Sequence, residues 1–228
     1  TAGTPIVNLL NLDKEEKIAS VLCLRDYEDE DLDLVFCSKR GLVKRTHLSE
    51  YKNIRRNGLR AYDCADGDML LTVLISKPSQ DILITTTEGL TIRFAGDQIR
   101  ATGRISRGVK GINLRDNDEI ASMIVLDDDD EQRMLTITER GYGKRTVLDA
   151  YRTQNRGGVG LIDIRTDERN GSVVGAVLVN DDDRVMMMTN LGQVIKIPVK
   201  NIRDQNRNTK GVRLMKIDDR SRIVSIAK

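Results

Sequence analysis

The chain is written in short apolar runs separated by polar turns, and the runs recur in a fixed order. Four segments open on a mostly apolar run, Ile18 to Leu24, Met69 to Ile75, Ile120 to Leu126 and Val173 to Val179, followed by an acidic or polar turn. A second run comes next: Leu34-Val35-Phe36, Ile82-Leu83-Ile84, Met134-Leu135-Thr136-Ile137 and Val185-Met186-Met187-Met188. Then a turn carries Gly41, Gly89, Gly141 or Gly192, at intervals of 48, 52 and 51 residues, so the period is close to fifty. A third run starts after each of these glycines. A second glycine, Gly58, Gly108, Gly160 or Gly211, follows 17 to 19 residues after the first and opens a fourth run. The run from Gly211 to Ile217 has the period-two alternation of a half-buried strand.

Four short strands per repeat, with almost no segment of helical period, predict an all-β chain folded as a β-propeller-like array of four-stranded blades. Tryptophan is absent, which argues against WD40 blades, and the paired glycines of kelch blades are missing apart from Gly157-Gly158. The expected organisation is one module over 1–228. Residues 1–13, with Pro5-Ile6-Val7-Asn8-Leu9-Leu10, would form the end of a preceding blade. The four repeats would span 14–68, 69–118, 119–171 and 172–228, the last including a closing strand.

A hydrophobic content of 39% can supply a core. No stretch approaches the roughly 18 apolar residues of a membrane span, and Thr1 to Gly3 do not open a signal peptide, so a cytoplasmic protein with no membrane partner is expected. Cys23, Cys37 and Cys64 lie 14 and 27 positions apart, which matches neither a zinc spacing nor a disulfide framework. They read as reduced, buried thiols.

Charge sharpens the picture. The net charge is only +2 although 32% of residues are charged, and the two signs are sorted. Acids gather at Asp26 to Asp31, Asp127 to Glu131 and Asp181 to Asp183, in turns expected to face solvent. Bases gather elsewhere. Each third run carries one four positions after its glycine, Arg45, Arg93, Arg145 and Lys196, with Lys44 and Lys144 beside two of them. The loops that follow add Arg55 and Arg56; Arg100, Arg104, Arg107 and Lys110; Arg152 and Arg156; and Arg203, Arg207, Lys210 and Arg213. In a radial array, equivalent positions fall on one arc, and a basic arc suits the phosphates of bent duplex DNA. Only 3% of residues are aromatic, too few to stack single-stranded bases.

Other chemistry finds little support. Gly143-Lys144-Arg145-Thr146 has Thr138 where a phosphate loop needs its first glycine, and Arg145 separates its lysine from the hydroxyl. His47 is the only histidine and reads as a surface turn residue. Asp127 to Glu131 lacks the glycine and spacing of a calcium loop, so no metal is expected. Phe36 and Phe94 read as core, and Tyr51 and Tyr151, in matching places, as repeated packing residues. No set of groups suggests catalysis.

Four segments resemble the C-terminal domain of the A subunit of bacterial DNA gyrase: Pro5 to Leu10, Arg107 to Ile112, Gly141 to Thr146 and Arg207 to Val212. The likeness runs the whole length. It implies a six-bladed β-pinwheel whose neighbouring blades exchange strands, and whose rim wraps DNA in support of ATP-dependent negative supercoiling. It further implies partners in an A2B2 holoenzyme at the nucleoid, namely the N-terminal region of the A subunit, together with the B subunit. ATP, magnesium and the breakage–reunion tyrosine would then act outside this chain, which holds no cofactor of its own. Four repeats and a tail fall short of six blades, so the first blade and most of the second are not represented. The family's heptapeptide, Gln-basic-Arg-Gly-Gly-basic-Gly, has its nearest match in Gln154 to Gly160, with Asn155 and Val159 at the basic positions. The competing readings are the equivalent domain of topoisomerase IV, which serves DNA substrate choice, a propeller that binds a protein partner, and an enzyme with a site in the central channel.

Overall fold

Apolar runs of five to seven residues between glycine turns are too short for stable helices and alternate as strands do, and they form strands. The computed structural model describes residues 16–24, 31–54, 58–126 and 131–228. Its strands are β1 (Asp33–Ser38), β2 (Leu42–His47), β3 (Leu70–Ser76), β4 (Asp81–Thr86), β5 (Leu90–Ala95), β6 (Val109–Lys110), β7 (Ile120–Val125), β8 (Arg133–Thr138), β9 (Tyr142–Val147), β10 (Leu161–Ile162), β11 (Val173–Val179), β12 (Arg184–Thr189), β13 (Val194–Pro198), β14 (Val212–Arg213) and β15 (Ile223–Ala227). A short 3-10 turn follows each third-run strand, at Leu48–Tyr51, Gly96–Gln98, Leu148–Ala150 and Val199–Asn201. The all-β expectation holds.

The sheets cross the repeat boundaries. Their orders are β3-β1-β2-β6, β10-β5-β4-β7, β11-β8-β9-β14 and β13-β12-β15. In each, the second and third runs of one repeat form an antiparallel hairpin, and the opening run of the following repeat, β3, β7 or β11, or the closing strand β15, is added on one side. In the first three sheets the next repeat also adds its fourth run on the other side. Neighbouring blades therefore share strands, as the resemblance implies. The fourth-run contacts are two residues long: Val109 pairs with Val43, Leu161 with Thr91 and Val212 with Gly143. The glycine before each has a positive φ of 88°, 81° or 73°. A Cβ there would lie 2.4 to 2.7 Å from the carbonyl oxygen of Val43, Thr91 or Gly143, so only glycine allows the approach.

This rule explains one difference from the expectation. Ile18 to Leu24 forms no strand. A first run pairs with the hairpin of the preceding repeat, and the described residues contain no such hairpin; Leu22 and Leu24 instead pack on Leu34 and Phe36.

The core lies between blades. Val35 and Cys37 of the first blade pack against Ile82, Ile84 and Ile92 of the second. Leu83 packs against Met134, Leu148 and Tyr151, and Leu135 and Ile137 against Val185 and Met187. One face of each hairpin thus seals the opposite face of the next, while β3, β7, β11 and β15 run side by side along the inside. Phe36, Phe94, Tyr51 and Tyr151 are buried as expected. The cysteines depart from expectation: Cys37 is buried, but Cys64 is half-buried and Cys23 exposed, because its segment lies outside the sheets. All three are free thiols.

Candidate nucleic-acid interface

The third run carries its bases inward. Lys44 and Lys144 are fully buried, Arg45 and Arg145 are buried, and Arg93 is half-buried. These strands are covered because the linking loop of the next repeat docks on them: the amides of Thr102, Gln154 and Gln205 donate to the carbonyls of Arg45, Arg93 and Arg145 at 2.8 to 2.9 Å. Acids then hold the guanidinium groups. Arg45 lies 3.5 Å from Asp33, Arg93 2.7 Å from Asp81, and Arg145 binds Asp181 and, at 2.9 Å, Asp204. Asp33 also takes His47, at 2.7 Å. The acidic turn at Asp181 thus reaches a third-run base instead of lying apart from it. Of the four register positions only Lys196 is exposed. Of the arc expected at Lys44, Arg45, Arg93, Lys144 and Arg145, four bases are buried and held inside the fold, and Arg93 is half-buried in its pair with Asp81.

Two of these bases anchor polar knots. The Lys144 ammonium lies 2.9 Å from the Asp163 carboxylate and donates to Thr146 Oγ1 and the Asn206 carbonyl, both at 3.1 Å. Asp163 also accepts from the Tyr151 hydroxyl at 2.6 Å and Thr136 Oγ1 at 2.7 Å. Burial pulls the Lys144 ammonium below its usual range against the pull of Asp163, and burial beside that carboxylate pushes the Tyr151 phenol up. Among the described residues no acid pairs with Lys44. It donates to the carbonyls of Ala61 at 2.5 Å and Arg104 at 2.6 Å and sits over the Phe36 ring at 4.6 Å, and burial lowers its pKa to about 8.

The loop bases divide into two kinds. Arg156 and Arg207, each four residues before a second glycine, are half-buried and donate to the main-chain carbonyls of Lys110 and Ile162 on the preceding outer strand. Arg104 occupies the same place and is also half-buried. Arg107 pairs with Asp63, Lys210 with Asp167, and Lys110 donates to Asn113. Arg213 donates to the Tyr142 hydroxyl at 2.8 Å, and its guanidinium lies 5.4 Å from that ring. Arg55 and Arg56 lie outside the described residues, as do most of the acidic runs Asp26 to Asp31 and Asp127 to Glu131.

Arg100, Arg152 and Arg203 are different. They are exposed and hold no ion pair with another described residue. Each stands 11 positions after its repeat's first glycine, and Lys52, also exposed, takes that place in the first repeat. In every case the preceding residue is a buried anchor at or just past the 3-10 turn: Tyr51, Ile99, Tyr151 and Ile202. A buried apolar or aromatic residue followed by a base fixes the chain and turns the base outward. The sequence-based expectation passed over Lys52, although the shared spacing of 11 is visible in the chain. All four bases follow the same turn of their blades, so each blade carries one exposed base at the same place.

The comparisons agree with this architecture. A family model described as "DNA gyrase C-terminal domain, beta-propeller" matches residues 32–77, 80–127, 132–180 and 183–228. The chain is 39% identical over 226 residues to the A subunit of DNA gyrase from Staphylococcus epidermidis, covering 99% of this chain and 25% of that protein. It is 40% identical over 227 residues to the A subunit of DNA gyrase from Haloquadratum walsbyi, covering 98% and 26%. It therefore spans about a quarter of the length of these curated relatives. Among solved structures, a DNA gyrase A C-terminal domain superposes with a TM-score of 0.87 at 22% identity, over 98% of this chain and 74% of the other. The C-terminal domain of a DNA topoisomerase IV gives 0.91 at 24%, over 99% and 70%. At those identities the superpositions speak for the fold alone. With four matched units that follow the four blade hairpins, the chain belongs to the DNA gyrase C-terminal domain family of β-propeller type.

Proposed function

We propose that this chain is a non-catalytic module that binds duplex DNA along the edge marked by Lys52, Arg100, Arg152 and Arg203 and curves it around the fan. The observation that carries the reading is the recurrence of one exposed base per blade, at one register, each set by a buried neighbour. Exposed side chains on a rigid scaffold can reach phosphates. Each neutralised phosphate releases counterions and contributes about 0.9 to the salt slope of binding. Contacts stepped from blade to blade follow a curved path, and they can offset the roughly 1–6 kcal/mol needed to bend a short duplex by 40–90°. Lys196, Lys110 and Arg213 add exposed charge on the same blades. The paired Arg107 and Lys210 and the bracing Arg156 and Arg207 act by holding loops in place.

The module would serve a gyrase-type A subunit, with strand breakage and ATP hydrolysis carried elsewhere in that subunit or its B partner, on chromosomal DNA. We assign no cofactor or metal to this chain. The relatives at 39–40% identity, both gyrase A subunits, favour this reading over a topoisomerase IV role, for which only fold similarity speaks. Sealing nicked circular plasmid in the presence of the chain, then removing protein, tests it. A displaced linking number supports curving of DNA on the fan; binding with an unchanged linking number contradicts it.

A further inference from the structure

One recess of the fold differs in kind from the row of exposed bases. It has a volume of about 430 Å³ and is lined by Arg140 and Tyr142 at the β8–β9 turn, by Arg169, and by Arg213 and the segment that follows it. Tyr142 is buried and stands directly after the turn glycine Gly141. The other repeats place Leu42, Leu90 and Gln193 there. Across the outer strand, Lys110 pairs with Leu42 and Ile162 with Leu90, whereas Arg213 pairs with Tyr142. This combination occurs once in the chain.

Two guanidinium groups are held on Tyr142. Arg213 donates to its hydroxyl oxygen at 2.8 Å and Arg169 at 3.3 Å, and the two guanidinium carbons lie 5.4 and 5.0 Å from the ring centre. Both arginines are exposed, and neither forms an ion pair with another described residue. Asp167, whose charge reaches Arg169, is already taken by Lys210 and by the amides of Arg169 and Asn170. Buried Asn170 fixes this loop, donating to the carbonyls of Arg165 and Lys210 at 2.8 and 3.2 Å. Like charges drawn onto one oxygen repel, and an anion set between them relieves the repulsion. The hydroxyl oxygen accepts from both arginines, while no described group accepts its proton. Lys216 and Arg222 add to Arg140 on the lining, so bases outnumber the acids Asp218 and Asp219 by five to two.

We propose that the recess is an oxyanion site that holds one phosphate group between the guanidinium groups of Arg169 and Arg213, with the Tyr142 hydroxyl donating to it. Guanidinium forks match phosphate oxygens, and here the ring and hydroxyl of Tyr142 hold both forks in place before the ligand arrives. A tetrahedral phosphate offers an oxygen to each of three donors that come from a strand, an outer strand and a loop, which a planar carboxylate does not. Two sources carry this chemistry, a small free phosphate and the backbone of duplex DNA, and the test separates them. The site does not depend on the DNA reading, because a free phosphate needs no duplex.

Inorganic phosphate, titrated against chloride at constant ionic strength, tests the site through the Tyr142 phenol. Hydrogen bonds from Arg169 and Arg213 hold that phenol below its ordinary range, while burial pushes the phenols of Tyr51, Tyr62 and Tyr151 up. Ultraviolet titration should show an early ionisation step that Tyr142→Phe removes. Phosphate draws off the guanidinium charge, so the step should move to higher pH and saturate, and acetate should move it little. In Arg169→Ala, a change at an exposed side chain that should leave urea unfolding as in the parent, phosphate affinity measured by calorimetry should fall about tenfold or more. A phenol unmoved by phosphate, an equal response to acetate, or phosphate affinity unchanged in Arg169→Ala would each overturn the proposal. The source is read from duplex binding at the same ionic strength. If saturating phosphate weakens it in the parent and not in Arg169→Ala, the site takes a backbone phosphate; if phosphate leaves it unchanged, the site takes a free one.

Discussion

Within one hairpin and the turn after it, bases seven or eight residues apart have opposite fates. Lys44, Arg45, Arg93, Lys144 and Arg145 point into the contact between repeats, where carboxylates or carbonyls hold them. Lys52, Arg100, Arg152 and Arg203 stand just past the 3-10 turn in solvent. The residue types are alike, so charge alone does not say which of them meets a ligand. Their neighbours decide it: a strand covered by the next repeat's loop turns its bases into fasteners, and a buried anchor immediately before a base delivers it to the surface.

The largest expected effect comes from breaking a fastener. Asp163→Ala leaves the Lys144 ammonium buried without its counter-charge and should cost about 3–5 kcal/mol in urea unfolding. Asp163→Leu combined with Lys144→Met removes both charges and should cost far less, although the Tyr151 hydroxyl then loses its acceptor.

Lys44 gives a pH signature. Its folded pKa of about 8 lies below the usual 10.5, so between these values the unfolded chain binds more protons and stability rises with pH. The parent should gain on the order of 2–3 kcal/mol from pH 7 to pH 10.5 relative to Lys44→Met. Comparison with the variant is needed because Cys37, whose thiol burial pushes up to about 12 from 9.0, acts in the opposite direction above pH 9. A difference between the two proteins that is flat with pH would contradict this account of Lys44.

Arg93→Ala should cost about 1 kcal/mol, because its pair with Asp81 is half-buried and Thr153 Oγ1 still reaches that carboxylate. Its DNA salt slope should match the parent's. Arg152→Ala should change stability by no more than about 0.5 kcal/mol while lowering the slope by about one contact.

The period of fifty, the strand type of each run and the glycines that end them were legible because turns and alternation are local. The exchange of strands between blades was carried by the family resemblance, since pairing partners such as Val43 and Val109 lie far apart in sequence. Register and charge took the site only part of the way. They placed Arg45, Arg93 and Arg145 on an open arc because nothing in their own run shows that a loop 56 to 60 residues later lies over them. They passed over Asp163, whose role depends on Lys144, Tyr151 and Thr136 converging from three elements. The Tyr-Lys, Ile-Arg, Tyr-Arg and Ile-Arg pairs at Tyr51, Ile99, Tyr151 and Ile202 were a usable signal. Their meaning rests on the burial of the first member.

The most direct test of the account is the salt dependence of duplex-DNA binding by fluorescence anisotropy, comparing the parent with Lys52→Ala/Arg100→Ala/Arg152→Ala/Arg203→Ala. The account predicts that the variant unfolds like the parent and that the magnitude of its salt slope falls by about 3–4, the loss of four phosphate contacts. An unchanged slope in a folded variant would show that these four bases do not meet the DNA, and the central claim would fail.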